Sequence, residues 1–262
     1  YPTKLADKSW DNTGLLVDAS VEDSVETEKN GSVKVLLTID LTQDVAQEAI
    51  KSKVDLIMAY HPFIFRGLKS ITQNDPQQRS LINLIRNSIS VYSPHTAVDS
   101  ARGGVNDFLA DGVAKGLNES NREIIKPDST EKDCGMGRVV TLSSPAPLQK
   151  VIENIKQSLG LLYVQVAVAR GQTKDHPISR IAICAGSGGD VFRGVEADLF
   201  YTGEISHHEA LFFTESGSSI VSCNHSNTER AFLKVFKDQL LGELPNGSEV
   251  LISSTDKDPF TT

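Results

Sequence analysis

Short apolar runs that end in polar or glycine-rich residues recur along the chain and predict parallel strands. Each run is rich in β-branched or aliphatic residues and is bounded by turn residues, with helical stretches between the runs. The runs and the residues that follow them are Val33–Ile39 then Asp40, Asp55–Tyr60 then His61, Ile89–Pro94 then His95 and Asp99, Ile181–Cys184 then Gly186-Ser187-Gly188-Gly189, Leu199–Thr202 then Gly203-Glu204, and Ile220–Cys223 then His225. Ligands of such sheets bind beyond the carboxyl ends of the strands. The pattern therefore predicts a ligand site at these residues.

Two successive series of strands and helices predict two α/β domains. The second half of the chain repeats the order of the first half more loosely. Between them the polar stretch Asn118–Gly137 is predicted to be an irregular boundary. We therefore predict one domain over residues 1–125, completed by 226–262, and a second domain over 126–225. We predict helices in the later part of the chain at Leu148–Leu161, Val191–Val195, His208–Thr214 and Thr228–Leu241. We also predict a terminal strand at Glu249–Ser253 that returns to the first sheet.

Composition and charge narrow the functional classes. The 262 residues carry a net charge of −8, and Lys and Arg occur singly, so direct nucleic-acid binding is not expected. No run approaches the roughly 20 apolar residues that span a bilayer, so no membrane partner is expected. The three cysteines form no C-x-x-C pair and are expected to be reduced. We expect a cytoplasmic protein, although a chain that begins at Tyr1 without methionine leaves a mitochondrial location open.

His225 and Glu229 are the first candidate metal-binding pair. Their spacing of four residues places both side chains on one face of the predicted helix. An imidazole nitrogen and a carboxylate oxygen offered together suit a divalent transition metal. The alternative is a solvent-exposed helix pair, because H-x-x-x-E also arises by chance. The pair gains weight because it directly follows a strand end.

His61 and Asp99 are the matching candidates in the first half of the chain. Donors that converge from both halves would be costly to bury unless they were paired or bound to metal. The alternative for His61 is a buried histidine satisfied by a backbone carbonyl, and for Asp99 it is a cap of the following turn. The residues alone leave both alternatives open.

Three other features have both a functional and a structural interpretation. The segment Gly186-Ser187-Gly188-Gly189-Asp190 has the form of a phosphate-binding turn at a helix N-terminus, but it lacks the lysine of a P-loop. A glycine turn made for tight packing is its alternative. Trp10 and the following Asp11-Asn12 pair are expected to line a cavity, although a lone tryptophan is more often part of the core. His207, next to His208, is expected at the surface.

Six segments resemble the signature blocks of a known family. They are Ser9-Trp10-Asp11-Asn12-Thr13-Gly14-Leu15-Leu16, Tyr60-His61-Pro62-Phe63-Ile64-Phe65, Tyr92-Ser93-Pro94-His95-Thr96-Ala97-Val98-Asp99, Gly103-Gly104-Val105-Asn106-Asp107, Thr202-Gly203-Glu204-Ile205-Ser206-His207-His208 and Asn224-His225-Ser226-Asn227-Thr228-Glu229-Arg230. The segments occur in the same order as in the Nif-three-like family, the Ngg-one-interacting factor three proteins, and they extend over nearly the whole chain. The chain therefore resembles this family. These proteins are often labelled GTP cyclohydrolase 1 type 2 homologues. The match is best to the eukaryotic branch of the family.

The resemblance implies a fold, a metal site and an assembly. The implied fold is α/β, with two related domains that contain mixed sheets flanked by helices and a metal site between the domains. The implied cofactors are divalent metal ions, two per chain, with Zn, Fe and Mn not distinguished. The implied assembly is a homohexamer built of dimers. The family's metal ligands fall at His61, Asp99, His225 and Glu229 of this chain.

One metal ligand of the bacterial family members is replaced in this chain. Where they have the first histidine of a His-His pair, this chain has Tyr60. A phenol with an ordinary pKa of about 10 is a poor ligand for a divalent ion at neutral pH. Either the second metal is bound more weakly, or another residue replaces the histidine. The candidates along the sequence are His95, Asp107, Glu204 and His208, which the sequence does not rank.

Two functions from different classes fit these residues. The first is a metal-dependent hydrolase of a nucleotide or phosphoester, GTP cyclohydrolase 1 type 2-like by resemblance only, with Glu204 or His95 as general base or acid. The alternative is a non-catalytic metal-binding regulatory protein that acts through protein partners such as a transcriptional co-activator. A third interpretation is a branch that has lost one metal and kept the scaffold. The small-molecule substrate is not identified by the sequence.

Overall fold

The computed structural model describes residues 1–20 and 31–260, which form two compact units. The first unit comprises Tyr1–Ala97 and Leu233–Lys257, and the second comprises Val98–Phe232 and the C-terminal residues from Asp258 onwards. The domain limits predicted from the sequence differ from the limits of these units. They stay a prediction, because a compact unit is defined by its packing, whereas a domain also folds independently.

The first unit contains a mixed five-stranded sheet. Its strands are β1 (Gly14–Val17), β2 (Lys34–Thr38), β3 (Leu56–Ala59), β4 (Ser90–Ser93) and β11 (Glu249–Ile252). Their order across the sheet is β1-β4-β3-β2-β11, with β1 antiparallel to β4 and the other neighbours parallel. The predicted return of a C-terminal strand to this sheet is confirmed. The sequence analysis did not predict β1, a short edge strand.

Helices connect the parallel strands of the first unit and cover the sheet. α1 (Gln43–Ser52) follows β2, α2 (Pro76–Arg86) follows β3, and α8 (Leu233–Glu243) precedes β11. The side chains of Thr42 and Asp75 accept backbone N–H groups at the starts of α1 and α2. The apolar faces of α1 and α2 pack in a core with aliphatic residues of the sheet. These connections place the carboxyl ends of β2, β3 and β4 at one edge.

The second unit contains a mixed six-stranded sheet. Its strands are β5 (Glu119–Pro127), β6 (Gly135–Pro147), β7 (Gln165–Ala167), β8 (Pro177–Ser187), β9 (Leu199–Glu204) and β10 (Ser219–Ser222). Their order is β5-β6-β8-β9-β10-β7. β8, β9 and β10 are parallel neighbours, and antiparallel strands flank them on both sides. The prediction of an α/β fold with mixed sheets is confirmed.

Helices of the second unit pack on this sheet, and two helix predictions need correction. These helices are α4 (Val105–Ala114), α5 (Leu148–Leu159), α6 (His207–Glu215) and α7 (Asn227–Arg230), and the short α3 (Thr96–Ser100) includes Thr96 and Ala97 of the first unit and the first residues of the second. The predicted helix at Val191–Val195 is wrong, because residues 189–194 form turns. The predicted single helix over Thr228–Leu241 is interrupted, since α7 ends at Arg230 and α8 begins at Leu233. None of the helices formed by residues 1–20 and 31–260 is both long and apolar enough to cross a bilayer.

The stretch predicted to be irregular, Asn118–Gly137, is mostly β structure. It contains all of β5 and the start of β6, which pair antiparallel. β5 is an edge strand whose residues are exposed or partly buried, so it lacks the apolar alternation on which strand prediction depends. Its pairing with β6 is what makes it a strand.

Candidate metal centre

Three neighbouring parallel strands of the first unit end in residues with metal-binding or proton-transfer chemistry. Asp40, His61 and His95 follow β2, β3 and β4. Their side chains meet because parallel strands end at the same edge of a sheet. The Nδ1 atom of His61 is 2.9 Å from Oδ1 of Asp40, and the rings of His61 and His95 are 5.4 Å apart. The buried Tyr60 packs edge-on against both rings.

His95 is held by a buried carboxylate. Its Nδ1 atom is 2.7 Å from Oδ1 of Asp11, whose side chain has no exposed surface. Burial opposes ionisation of Asp11, but hydrogen bonds from His95 and Thr96 outweigh it and lower the pKa of this carboxyl. Asp11 therefore fixes Nδ1 of His95 and leaves Nε2 to act on a ligand. Trp10 is half exposed and packs edge-on to His95 at 5.6 Å, so it does not belong to the core.

In the second unit, His225 lies between two carboxylates. It follows β10, and Glu204 ends the neighbouring strand β9. The Nδ1 atom of His225 is 3.1 Å from Oε2 of Glu204, and its Nε2 atom is 3.4 Å from Oε1 of Glu229. Glu229 lies in α7 and is only 3% exposed, whereas about half of the Glu204 side chain is exposed. His225 lies in the turn before α7 and Glu229 lies within α7, so this turn and the short helix bring the two candidate donors together.

Gly186 leaves the space that this pair occupies. It lies in β8 with φ of +62°, beside a shift in the β8–β9 register. A Cβ atom at this position would lie 2.8 Å from Nε2 of His225 and 3.1 Å from Oε1 of Glu229. The N–H of Gly186 donates to Oγ1 of Thr228 at 2.9 Å, which ties β8 to α7. Glycine alone combines this backbone conformation with room for both donors.

Asp99 lies in α3 and is buried. The fully buried Asn106 donates to its main-chain carbonyl and accepts the N–H of Ala185, each at 2.9 Å. Asn106 therefore links α3, the helix that contains Asp99, with the end of β8. Burial, followed by the negative charges of Asp99 and Glu229, raises the pKa of the Cys184 thiol. Both carboxylates thus act electrostatically on the same end of β8.

Asn106 is a positioning residue that the sequence analysis missed. Its only signal in the sequence is its place within the family block Gly103-Gly104-Val105-Asn106-Asp107. An asparagine side chain can serve two backbone groups at once because it has both an acceptor and donors. Which groups these are depends on the packing of α4 against β8, and neither partner is a neighbour in sequence.

The four candidate replacements for the missing histidine have different surroundings. Asp107 is paired with Arg138, a guanidinium only 2% exposed, through hydrogen bonds of 2.8 and 3.0 Å. His208 is exposed on α6 and lines a separate open cavity. Glu204 contacts His225, and His95 lies beside His61. His95 and Glu204 therefore each lie beside a candidate metal ligand of their own unit.

The glycine-rich segment after β8 is built for packing. Residues 189–194, at the end of this segment and directly after it, form turns and no helix, so the segment lacks the N-terminal dipole that a phosphate site of this kind needs. A Cβ atom at Gly188 would overlap Phe192 and Thr202, and one at Gly189 would overlap the carboxylate of Glu209. A carboxylate at this position would also repel a phosphate. The structure favours the packing interpretation of these glycines.

The donors present in each unit fit a divalent transition metal. His61, His95 and His225 each have Nδ1 against a carboxylate oxygen. Metal-binding histidines usually have such a partner, because it fixes the ring and directs the other nitrogen to the ion. Imidazole nitrogens with carboxylate oxygens suit Zn, Fe or Mn, and the identity of the metal is not determined by this donor set.

Fold and donors together define an α/β protein whose two mixed sheets carry histidine–carboxylate clusters at the ends of their parallel strands. The sequence model of the Duf34/NIF3 (NGG1p interacting factor 3) family matches residues 1–259. The chain belongs to this family.

Individual relatives agree with this assignment. NGG1-interacting factor 3 of Saccharomyces cerevisiae is 46% identical over 268 residues, covering 100% of this chain and 92% of the relative. Protein NIF3 homolog of Schizosaccharomyces pombe is 47% identical over 269 residues, covering 100% of this chain and 94% of the relative. A solved Bacillus cereus protein related to NIF3 matches with a TM-score of 0.81 at 21% identity, covering 100% of this chain and 95% of that one, which supports the fold alone.

Proposed function

We propose that this chain is a divalent-metal-binding protein that acts as a metal-dependent hydrolase of a nucleotide or phosphoester. The observation that carries the proposal is the setting of His225, with Glu204 at Nδ1, Glu229 at Nε2 and space provided by Gly186. The proposed metal ligands are His61, Asp99, His225 and Glu229, for two ions per chain.

The metal and the protein have separate tasks in this proposal. The residues named above would hold a divalent ion, which would supply an acidified water and would polarise the bond that is cleaved. His95 transfers a proton through Nε2, because Asp11 holds its Nδ1 atom and fixes the ring. Glu204 acts as a positioning residue, since its carboxylate accepts from His225 and orients that ring.

A second function is favoured by a specific observation. The Saccharomyces cerevisiae relative, 46% identical to this chain, is named as an NGG1-interacting factor. The alternative is therefore a non-catalytic metal-binding regulatory protein that acts through a protein partner such as a transcriptional co-activator. The homohexamer implied by the family resemblance stays a prediction under either function.

Turnover and metal content measured on the same samples test the proposal. The metal-loaded protein is assayed against a panel of nucleotides and phosphoesters, with GTP as the first substrate, and its metal is measured by elemental analysis. Glu229→Gln is expected to lose both metal and turnover, because it removes a charged donor. His95→Gln is expected to keep its metal and to lose turnover by about 10²-fold or more. His207→Ala, an exposed histidine on α6, is the matched control and should keep both.

The outcomes separate the two functions. A Glu229→Gln protein with the wild-type metal content would show that the proposed centre is wrong. Metal bound at this centre, with no turnover on any member of the panel and with binding of a co-activator retained, would favour the regulatory protein. Equal turnover of His95→Gln and wild type would remove His95 from the proposed chemistry.

A further inference from the structure

A second concave site in the second unit adjoins the segment that carries His225. It is a half-open pocket of about 310 Å³, formed by the connection between α5 and β7, by the end of β10 and by the C-terminal tail. Its volume is at the lower end of the range for small-molecule sites. Cys223 and Asn224, directly before His225 in the sequence, contribute to its wall.

The chemistry of this pocket is aromatic, amide-rich and uncharged. No lysine, arginine, histidine, aspartate or glutamate is among the described residues that line it. Tyr163 and Phe260 line it with side chains that are 69% and 71% exposed, so each offers an accessible aromatic face. Large aromatic rings exposed at a concave site are typical of binding surfaces. The missing charge disfavours a phosphate or a carboxylate as the group bound here.

Asp258 anchors the C-terminal tail that carries Phe260 into the pocket wall. Oδ2 of Asp258 accepts a hydrogen bond from Oγ of Ser226 at 2.8 Å, and Oδ1 of the same carboxylate accepts the N–H of Phe260 at 2.8 Å. Ser226 is buried at the start of the segment that leads into α7. One carboxylate therefore both anchors the tail and sets the backbone of Phe260.

Two asparagines supply the polar groups. The side-chain N–H₂ of Asn227 donates to the carbonyl of Cys223 at 2.8 Å, which leaves the side-chain carbonyl as an acceptor. Asn224 has φ of +66°, a conformation that asparagine tolerates better than most residues. Amide side chains are able to match ring N–H groups and ring nitrogens, and the edges of heteroaromatic bases carry both.

We propose that this pocket binds a planar, uncharged heteroaromatic ring of the nucleobase type, stacked on Tyr163 and Phe260 and hydrogen-bonded by Asn224 and Asn227. The site does not depend on a bound metal, so the inference goes beyond the proposed hydrolase. Asn224, which lines the pocket, directly precedes His225 in the sequence, so the pocket would be a recognition subsite if a nucleotide is the substrate.

Nucleoside binding to the full chain tests the inference. Adenosine, guanosine and cytidine are titrated calorimetrically, with ribose 5-phosphate as a probe that lacks the ring, into both metal-loaded and chelator-treated protein. At least one nucleoside is expected to bind in both metal states, and ribose 5-phosphate is not expected to bind the chelator-treated protein. Phe260→Ala and Tyr163→Ala are each expected to weaken binding by about fivefold to 150-fold, the effect of losing one base–aromatic stack.

Two control variants distinguish the loss of an aromatic face in this pocket from a general disturbance of the fold. Tyr163→Phe retains the aromatic face and should bind nearly as wild type. Phe212→Ala removes a phenylalanine of similar exposure, 66%, from α6 of the same unit, outside this pocket, and should change nothing. If a nucleoside binds and the metal-loaded protein turns over no member of the substrate panel, this inference is supported and the hydrolase is contradicted separately.

Two results would overturn the inference. One is the absence of nucleoside binding in both metal states, or binding that neither Phe260→Ala nor Tyr163→Ala weakens. The other is a change in assembly mass, measured by light scattering, when Phe260 or Tyr163 is replaced, with no nucleoside bound by the wild type. That second result would assign the aromatic side chains to an interface between copies of the chain.

Discussion

At the scale of single residues, carboxylates position three of the six histidines of this protein. The Nδ1 atoms of His61, His95 and His225 lie 2.9, 2.7 and 3.1 Å from an aspartate or glutamate oxygen. Such a partner fixes the ring and strengthens the other nitrogen as a donor. Glycine acts at the same scale, because the donor pair of the second unit occupies the space next to Gly186 where any other residue would carry a Cβ atom.

Gly186→Ala is predicted to weaken metal binding while the protein stays folded. The added methyl group would lie within 2.8 Å of Nε2 of His225, so the ring or the β8 backbone must move. We expect metal affinity to fall by about tenfold or more, as for the loss of a supporting residue around a metal. Isothermal titration with Zn²⁺ and Mn²⁺ measures this change.

Gly171→Ala provides the matched control for Gly186→Ala. Gly171 has φ of +74° and nothing near its missing Cβ atom, so its substitution introduces the backbone strain without the clash. Both variants should lose about 1 kcal/mol of stability from the left-handed conformation. Equal metal affinities in the two variants would mean that Gly186 does not shape a metal site.

At the scale of elements, hydrogen bonds to Glu48 of α1 fix the turn after β11, which is distant in sequence. Glu48 accepts from the hydroxyls of Ser253, Ser254 and Thr255 at 2.6 to 2.8 Å. It also accepts backbone N–H groups of the same turn. Burial opposes ionisation of Glu48, but these hydrogen bonds outweigh it and lower its pKa to about 2. One carboxylate therefore ties the end of β11 to the helix.

Glu48→Gln is predicted to destabilise the protein at neutral pH and to matter less in acid. The pKa of Glu48 in the folded protein lies below the ordinary value, so its stabilisation is fully present above about pH 4.5 and is lost as the pH falls toward 2. We expect a loss of about 1 kcal/mol at pH 7, a figure reduced for partial solvent exposure. Urea unfolding of wild type and variant between pH 7 and pH 3.5 measures the gap.

The exposed Glu243 at the end of α8 offers a control for the Glu48 experiment. Glu243→Gln should change stability little at either pH. A gap between wild type and Glu48→Gln that stays constant, or grows, as the pH falls would contradict the assigned role of the carboxylate.

At the scale of the whole molecule, metal binding and folding are predicted to be linked. A metal that binds the folded chain and not the unfolded chain raises the free energy of unfolding, by about 2.7 kcal/mol when free metal is at 100 times its Kd. We expect the melting temperature to rise with Zn²⁺ or Mn²⁺ and to fall back after chelation. Differential scanning calorimetry across a metal titration measures the shift.

Glu229→Gln distinguishes metal bound at the proposed centre from metal bound elsewhere. The variant should lose most of the metal-dependent rise in melting temperature, whereas His207→Ala should retain it. The same rise in Glu229→Gln and in wild type would place the stabilising ion at another site.

The sequence by itself determined the family, the parallel strands and the pairing of His225 with Glu229. Buried strands have apolar runs with polar ends. The predicted helix put His225 and Glu229 on one face, and the turn before α7 together with α7 brings the two side chains together in the structure. These are local properties, so the printed sequence carries them.

Only the tertiary structure decided which groups support the candidate donors. Asp11 contacts His95 at a sequence separation of 84 residues, and Asn106 contacts Ala185 at a separation of 79, so no local sequence pattern predicts either contact. The same holds for β5, a polar edge strand that pairing with β6 creates. The space beside Gly186 likewise exists only because α7 packs against β8. Partners brought together by chain packing leave no periodic signal, because their positions depend on every connection between them.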